Sequence, residues 1–208
     1  MSQVRLNLGC GSDVRPGYEN VDLYASGLNI KTVDITRIPW PWDDESVDEI
    51  LMLDIFEHIE YSKAPSILCE CARVLKTGGF VDIQVPDFDH CASVMLCIDG
   101  MCNVCGQHLR EDSDSISDIL LLGLSCPTCG TTGRKIREAA MHRLYGGQDR
   151  PGNYHYAAYT EDMLHDMLYD AGLGLTHILE KEHQYANWNF KMRAYKAKPR
   201  EQSWDDVL

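Results

Sequence analysis

Val4-Arg5-Leu6-Asn7-Leu8-Gly9-Cys10-Gly11-Ser12 is the stretch that decides the fold. Val4–Leu8 makes a short apolar strand, and a glycine pair ends it. Without a Cβ, glycine lets the backbone turn sharply and approach a bound molecule closely. In an open parallel sheet, ligands sit beyond the carboxyl ends of the strands, where this turn falls. The segments that follow repeat the scheme. Tyr18–Leu23 reads as a second strand closing on Asp22, Ile30–Val33 as a third closing on Asp34, and Val47–Leu53 as a fourth ending at Asp54. A carboxylate ending the second strand is placed to accept hydrogen bonds from a ribose diol. Taken alone, Gly-x-Gly also fits an ordinary tight turn.

Further along, Ile67, Leu68, Cys71, Val74 and Leu75 recur at helical spacing within Ser62–Lys76, and Gly78-Gly79 supplies the stop. Phe80–Val85 is a fifth strand, ended by Pro86-Asp87. Ile38-Pro39-Trp40-Pro41-Trp42 is too proline-rich for regular structure. Thr160 is a good N-cap, with Glu161 and Asp162 in the first turn of a helix that Gly172 ends. Leu173–Glu180 and Trp188–Ala197 complete the strands. Strands alternating with crossovers argue for a parallel sheet of the α/β class. Residues 1–96 and 134–200 are expected to form one domain, 97–133 an insert and 201–208 a frayed tail.

The ordered motifs VRLNLGCGS (4–12), NVDL (20–23), VDIT (33–36), SVDEILMLDIFEHI (46–59) and ECARVLKTGGFVDIQVPD (70–87) resemble class I S-adenosylmethionine-dependent methyltransferases. The likeness is to the small type-11-like group whose middle motif ends in Glu-His and whose helix ends in Arg-Val-Leu-Lys-x-Gly-Gly. It covers residues 4–87 and 150–197. It implies a Rossmann-like, seven-stranded, mostly parallel sheet with the insert after the fifth strand. It also implies that Gly9, Cys10 and Gly11 wrap the methionine portion of the cofactor, with Asn7 just behind. Asp22 would bind the ribose hydroxyls, with Leu23 against the adenine. Asp34 would take the adenine amino group, with Ile35 beside the ring. Asp54 and Ile55 would lie near the amino-acid end and the transferable methyl. Two departures stand out: Asn7 occupies the place of an acid, and Asp13 that of a third glycine. About ten residues separate Gly11 from the second strand, near the minimum for a parallel crossover, so the usual first helix is expected to be very short or absent.

Methyl transfer from a sulfonium depends on aligning nucleophile, methyl and sulfur, and a hydroxyl acceptor usually needs a base. Asp87, with His90 a turn later, is one candidate, because it follows a strand end. The loop GGQDRPGNYHYAAYT (146–160) is the other: it crowds Tyr154, His155, Tyr156 and Tyr159 and is placed to close over the cleft. His155 reads as base or substrate ligand, with Tyr154 beside it as a further catalytic candidate; the plainer reading is that these aromatics cap the sheet edge. Glu57 and His58 read as structural, opening a helix and satisfying one another. Arg134, Lys135, Arg137, Arg143 and Arg150 form a basic stretch leading into the loop. It suits an anionic acceptor such as a sugar phosphate or nucleotide, or else a solvated helix face.

Nine cysteines exclude a fully paired disulfide framework within one chain. Cys102/Cys105 and Cys126/Cys129 lie in two knuckles, CNVCG and CPTCG, whose spacing suits a four-thiolate zinc ribbon; an iron–sulfur site or redox dithiols compete. Four protein ligands leave no open position, so the zinc is expected to be structural. Between the knuckles, Ile116–Leu124 is more apolar than a small ribbon can hide. It is expected to dock on the main domain, on a second copy as a homodimer contact, or on a macromolecular substrate.

The 208 residues carry 19 basic against 32 acidic side chains, a net charge of −13, which disfavours a phosphate backbone as ligand. No apolar run is long enough to span a membrane. The opening residues lack a basic segment followed by an apolar one, so a cytoplasmic location is expected. The leading expectation is a methyltransferase acting on an O or N of a small-molecule or glycan-type acceptor. A non-catalytic cofactor-binding scaffold is the rival, with a ribbon that contacts protein or nucleic acid. A nucleic-acid methyltransferase ranks third.

Overall fold

Short apolar runs ending in acids or glycines become the strands of one sheet. The computed structural model describes residues 3–96, 133–184 and 187–197. Its strands are β1 (Arg5–Leu8), β2 (Glu19–Asp22), β3 (Ile30–Thr32), β4 (Val47–Leu53), β5 (Leu75–Pro86), β6 (Leu173–Gln184) and β7 (Asn187–Lys196). The helices are α1 (Ala64–Val74), α2 (Phe88–Leu96), α3 (Gly133–Tyr145) and α4 (Glu161–Asp170), with a 3₁₀ turn at Phe56–His58. The sheet runs β3-β2-β1-β4-β5-β7-β6. β1 to β5 pair in parallel, and β7 runs antiparallel to both β5 and β6. This is the expected Rossmann-like, mostly parallel arrangement. The order reverses between β1 and β4, so the glycine turn after β1 opens at the switch point where α/β sheets bind ligands.

Leu6, Leu8, Ile50, Met52, Val81, Ile83 and Val85 are fully buried, and Ile67, Leu68, Cys71 and Val74 of α1 join the same core. Residues 9–18 form turns with no helix between β1 and β2, as the short spacing implies. Residues 33–46 are also irregular, and two tryptophans do the covering there. Trp40 and Trp42 are buried edge to face, with ring centroids 5.9 Å apart. Glu70 and Arg73 of α1 hold that segment: Glu70 accepts from the Trp40 amide at 2.7 Å, and Arg73 donates to the carbonyls of Trp40 and Trp42.

One helix boundary differs from the periodicity. The helix ends at Val74, not at the glycines, because Leu75 is already paired with Val47 on β4 and fully buried. Gly79 then lies so close to β4 that a Cβ would come within 2.9 Å of the Asp48 carbonyl oxygen. At the other end, Thr160 caps α4 by accepting from the Met163 amide at 3.2 Å. Thr160→Ala is expected to cost about 1 kcal/mol, read as a melting temperature lower by roughly 2–4 °C. The residues assigned to the zinc ribbon, Cys102, Cys105, Cys126 and Cys129, lie outside the described residues. No described helix is long and apolar enough to cross a membrane.

Candidate functional site

The turn after β1 works because two residues lack side chains. Gly9 sits at φ +66° and Gly11 at φ +50°. Ile55 packs onto the bare Cα of Gly9: a Cβ there would lie 2.2 Å from Ile55 Cγ1 and 2.6 Å from its Cβ. The Gly11 amide donates to Asp22 Oδ2 at 2.8 Å, while Oδ1 accepts from the Tyr24 and Ala25 amides at 2.7 Å each. Asp22 is thereby fixed at the end of β2, beside the turn. Cys10 is buried between them and its amide donates to the Val21 carbonyl. Burial first, then the neighbouring Asp22, pushes its thiol upward, so it stays neutral and fills space.

Asn7 has a structural job that an acid could not do. It is buried, and its amide donates to the Asp13 carbonyl at 2.7 Å and to Asn20 Oδ1 at 2.9 Å. Asn20 in turn accepts from the Arg15 amide and donates to the Arg15 and Tyr18 carbonyls. Two asparagines thus brace a loop that has no helix to stiffen it. A carboxylate at position 7 has no N–H to give.

The other strand-end positions differ from one another. Asp34 takes the Thr36 hydroxyl at 2.7 Å and amide at 3.0 Å, with Arg37 at 3.1 Å. The Thr36 hydroxyl foremost holds this carboxyl below its usual range. Ile35 is buried, and its carbonyl accepts from the Trp40 indole. Leu23 is exposed, and beyond it the Tyr24 ring lies against Gly152: a Cβ there would sit 2.7 Å from Tyr24 Cε2. The loop after α3 therefore reaches across the strand ends as far as β2. Asp54, at φ +54°, is a non-glycine residue in the left-handed region, a strained conformation that clusters at functional sites. Its carboxylate accepts from Asn189 Nδ2 at 2.7 Å and Gln84 Nε2 at 3.0 Å. Asn189 is buried, and its Oδ1 has no hydrogen-bond partner among the described residues. That leaves a buried acceptor atom beside Asp54. The sequence reading missed Asn189 and Gln84, since nothing local marks them.

His155 comes to the strand ends, but next to Glu57 and His58. The His58 and His155 rings meet edge to face with centroids 4.5 Å apart. His58 Nδ1 bonds the Tyr154 carbonyl at 2.9 Å, and His155 Nδ1 bonds the Arg143 carbonyl at 2.7 Å. Burial lowers both imidazoles, and with His58 close by His155 falls to about 4. Glu57 is only 2% exposed, and its Oε2 has no hydrogen-bond partner among the described residues. Burial and the Asp54 charge raise it well above the usual carboxylate range, against the pull of Arg143. Glu57 and His58 therefore do not satisfy one another as the local reading expects. The Glu57 carbonyl also accepts from the Tyr156 and Ala157 amides, which ties the loop to the 3₁₀ turn.

The remaining candidates separate. Asp87 is buried at the start of α2, where its carboxylate accepts from the His90 amide at 3.1 Å and its amide donates to the Trp188 carbonyl. That is a helix cap locked between β7 and the loop. Tyr159 is fully buried against Phe56, whereas Tyr154 and Tyr156 are exposed. The basic stretch falls mostly on α3, whose last turn carries His142 and Arg143.

Residues 12–83 match the family described as "Methyltransferase domain". The fold is shared with solved S-adenosylmethionine-dependent methyltransferases. One from Archaeoglobus fulgidus has a TM-score of 0.55 at 11% identity, over 93% of this chain and 86% of that one. One from Methanosarcina mazei has a TM-score of 0.52 at 17% identity, over 96% and 95%. The Burkholderia thailandensis 1,6-didemethyltoxoflavin-N1-methyltransferase, solved with 1,6-didemethyltoxoflavin and S-adenosylhomocysteine, has a TM-score of 0.50 at 15% identity, over 94% and 71%. A search of curated proteins gives no significant match. The family match lies within residues 12–83, and the solved structures share the fold of this chain.

Proposed function

We propose that this protein transfers a methyl group from S-adenosylmethionine to an oxygen or nitrogen of a small-molecule or glycan-type acceptor. The observation that carries the reading is the Gly9–Gly11 turn clamped to Asp22 at the switch point of the sheet. The residues present fit the cofactor. Asp22 is a fixed acceptor for a ribose diol, the bare glycine backbone admits the methionine portion, and Asn189 Oδ1 beside Asp54 suits an ammonium. When bound, the cofactor supplies an electrophilic methyl on a sulfonium. The chain's own work is to orient the acceptor and exclude water, and the 146–160 loop spanning from the 3₁₀ turn to Tyr24 suits that role. His155, held neutral beside the loop, suits a ligand role, and the basic stretch entering the loop suits an anionic acceptor.

In the same reading, Cys102, Cys105, Cys126 and Cys129 hold one structural zinc in the insert, resting on their spacing. The scaffold reading draws on the missing helix between β1 and β2. Calorimetry with S-adenosylmethionine and S-adenosylhomocysteine separates the two. Binding in the micromolar range is expected. Asp22→Ala should weaken it roughly tenfold or more, the 1.5–3 kcal/mol that hydrogen bonds to a charged group carry. No binding at sub-millimolar cofactor would remove the enzyme reading.

A further inference from the structure

We propose that Glu57, His58 and His155 form a site for one divalent transition-metal ion at the carboxyl edge of the sheet, with coordination positions left open for an acceptor oxygen. One ligand-capable atom from each residue lies within 4.8 Å of the others. Bonds of about 2.1 Å to a tetrahedral ion place ligand atoms roughly 3.4 Å apart, so small side-chain rotations close the set.

Three features beyond proximity support the site. First, each histidine gives its Nδ1 to a backbone carbonyl, of Tyr154 for His58 and of Arg143 for His155. That bond makes Nδ1 the N–H and leaves the Nε2 lone pair as the ligand atom, the arrangement metal-binding histidines use. Second, Glu57 brings a buried carboxylate whose Oε2 has no hydrogen-bond partner among the described residues. An unpaired buried carboxylate is unfavourable, and a cation supplies what it lacks. Third, the ligands come from two segments that the backbone joins, through the Tyr156 and Ala157 amides on the Glu57 carbonyl. Other charges near Glu57 are Asp54, which favours a cation, and Arg143, which opposes one.

Two imidazoles and one carboxylate suit borderline ions such as Zn²⁺, Fe²⁺ or Co²⁺ more than Mg²⁺ or Ca²⁺. Three protein ligands leave positions open, unlike the four-thiolate set of the insert. A hydroxyl coordinated there becomes acidic. Resting on the methyltransferase reading, the site therefore selects an oxygen acceptor. The O–H proton leaves to solvent, the oxygen bonds the methyl carbon, and the C–S bond breaks with its electron pair staying on sulfur as a neutral thioether.

The test uses the purified 208-residue chain titrated with Co²⁺, followed by calorimetry and visible absorption. Thiolate-bound Co²⁺ has an intense sulfur-to-metal charge-transfer band, and the Glu57–His58–His155 site has none. One equivalent bound without that band is expected. Glu57→Gln and His155→Ala should each weaken it tenfold or more and leave any thiolate-bound ion in place. A second measurement needs no variant. Proton NMR of the Co²⁺-loaded wild type should show two paramagnetically shifted imidazole N–H resonances that vanish in D₂O. Absence of those resonances, or variants that bind like the wild type, would overturn the site and leave Glu57 as a structural neighbour of Arg143. Co²⁺ binding without any cofactor binding would instead uphold the metal site and remove the methyltransferase reading. Cofactor binding without Co²⁺ binding would do the reverse.

Discussion

Gly9→Val is expected to abolish measurable cofactor binding and to lower stability by roughly 2–5 kcal/mol. Two penalties add. A β-branched residue at φ +66° carries the strain of the left-handed region, and the new Cβ would sit 2.2 Å from Ile55 Cγ1. Rotating Ile55 does not relieve the clash, because its own Cβ is 2.6 Å away, so the backbone of the turn or of the β4 end must move. Either movement separates the turn from Asp54 and its neighbours. Gly11 is the control within the same turn. It also has a positive φ, but a Cβ added there would meet nothing within 4 Å. Gly11→Ala should therefore cost only about 1 kcal/mol. Calorimetry with S-adenosylhomocysteine and denaturant unfolding check both. Equal effects at the two glycines would show that the Ile55 contact does not shape the turn.

The fold was legible because the residues that set it are local. Val47–Leu53 is a strand by composition and a strand in the structure, with its bounds unchanged. Gly9, Gly11 and Asp22 announced a turn and an acid at strand ends, and the structure joins them through one hydrogen bond. The short spacing after Gly11 foretold a missing helix, but not that Asn7 and Asn20 would brace the loop in its place. The candidate site was read less well because its partners come from far along the chain. Glu57 and His58 are adjacent, so a local reading pairs them with each other. In the structure they turn towards a loop about a hundred residues away in sequence, where His155 and the Tyr154 carbonyl wait. Asp87 follows a strand like the other acids, yet its bridge to Tyr159 and its bond to the His90 amide make it a cap. Only tertiary contact separates a capping acid from one facing ligand.

Asp82→Ala is expected to be the most damaging change away from the strand ends, costing about 3 kcal/mol and lowering the melting temperature by roughly 6–12 °C. Asp82 stands opposite Arg193 where the parallel part of the sheet meets its antiparallel strand. It is only 4% exposed and holds Arg193 with two bonds, Nε–Oδ1 at 2.6 Å and NH2–Oδ2 at 2.8 Å. The guanidinium also lies over the Phe80 ring, 3.8 Å from its centroid. Removing the carboxylate leaves the partly exposed Arg193 guanidinium without its two-bond partner and opens a gap at a buried position. The double change Asp82→Leu with Arg193→Met should therefore recover most of the loss. The effect should reach the cleft as well, because Asn189, which holds Asp54, sits on the same strand as Arg193. Cofactor affinity should fall with Asp82→Ala and return with the double variant. Affinity that stays unchanged while stability drops would show that the β5–β7 pairing does not set the position of Asn189.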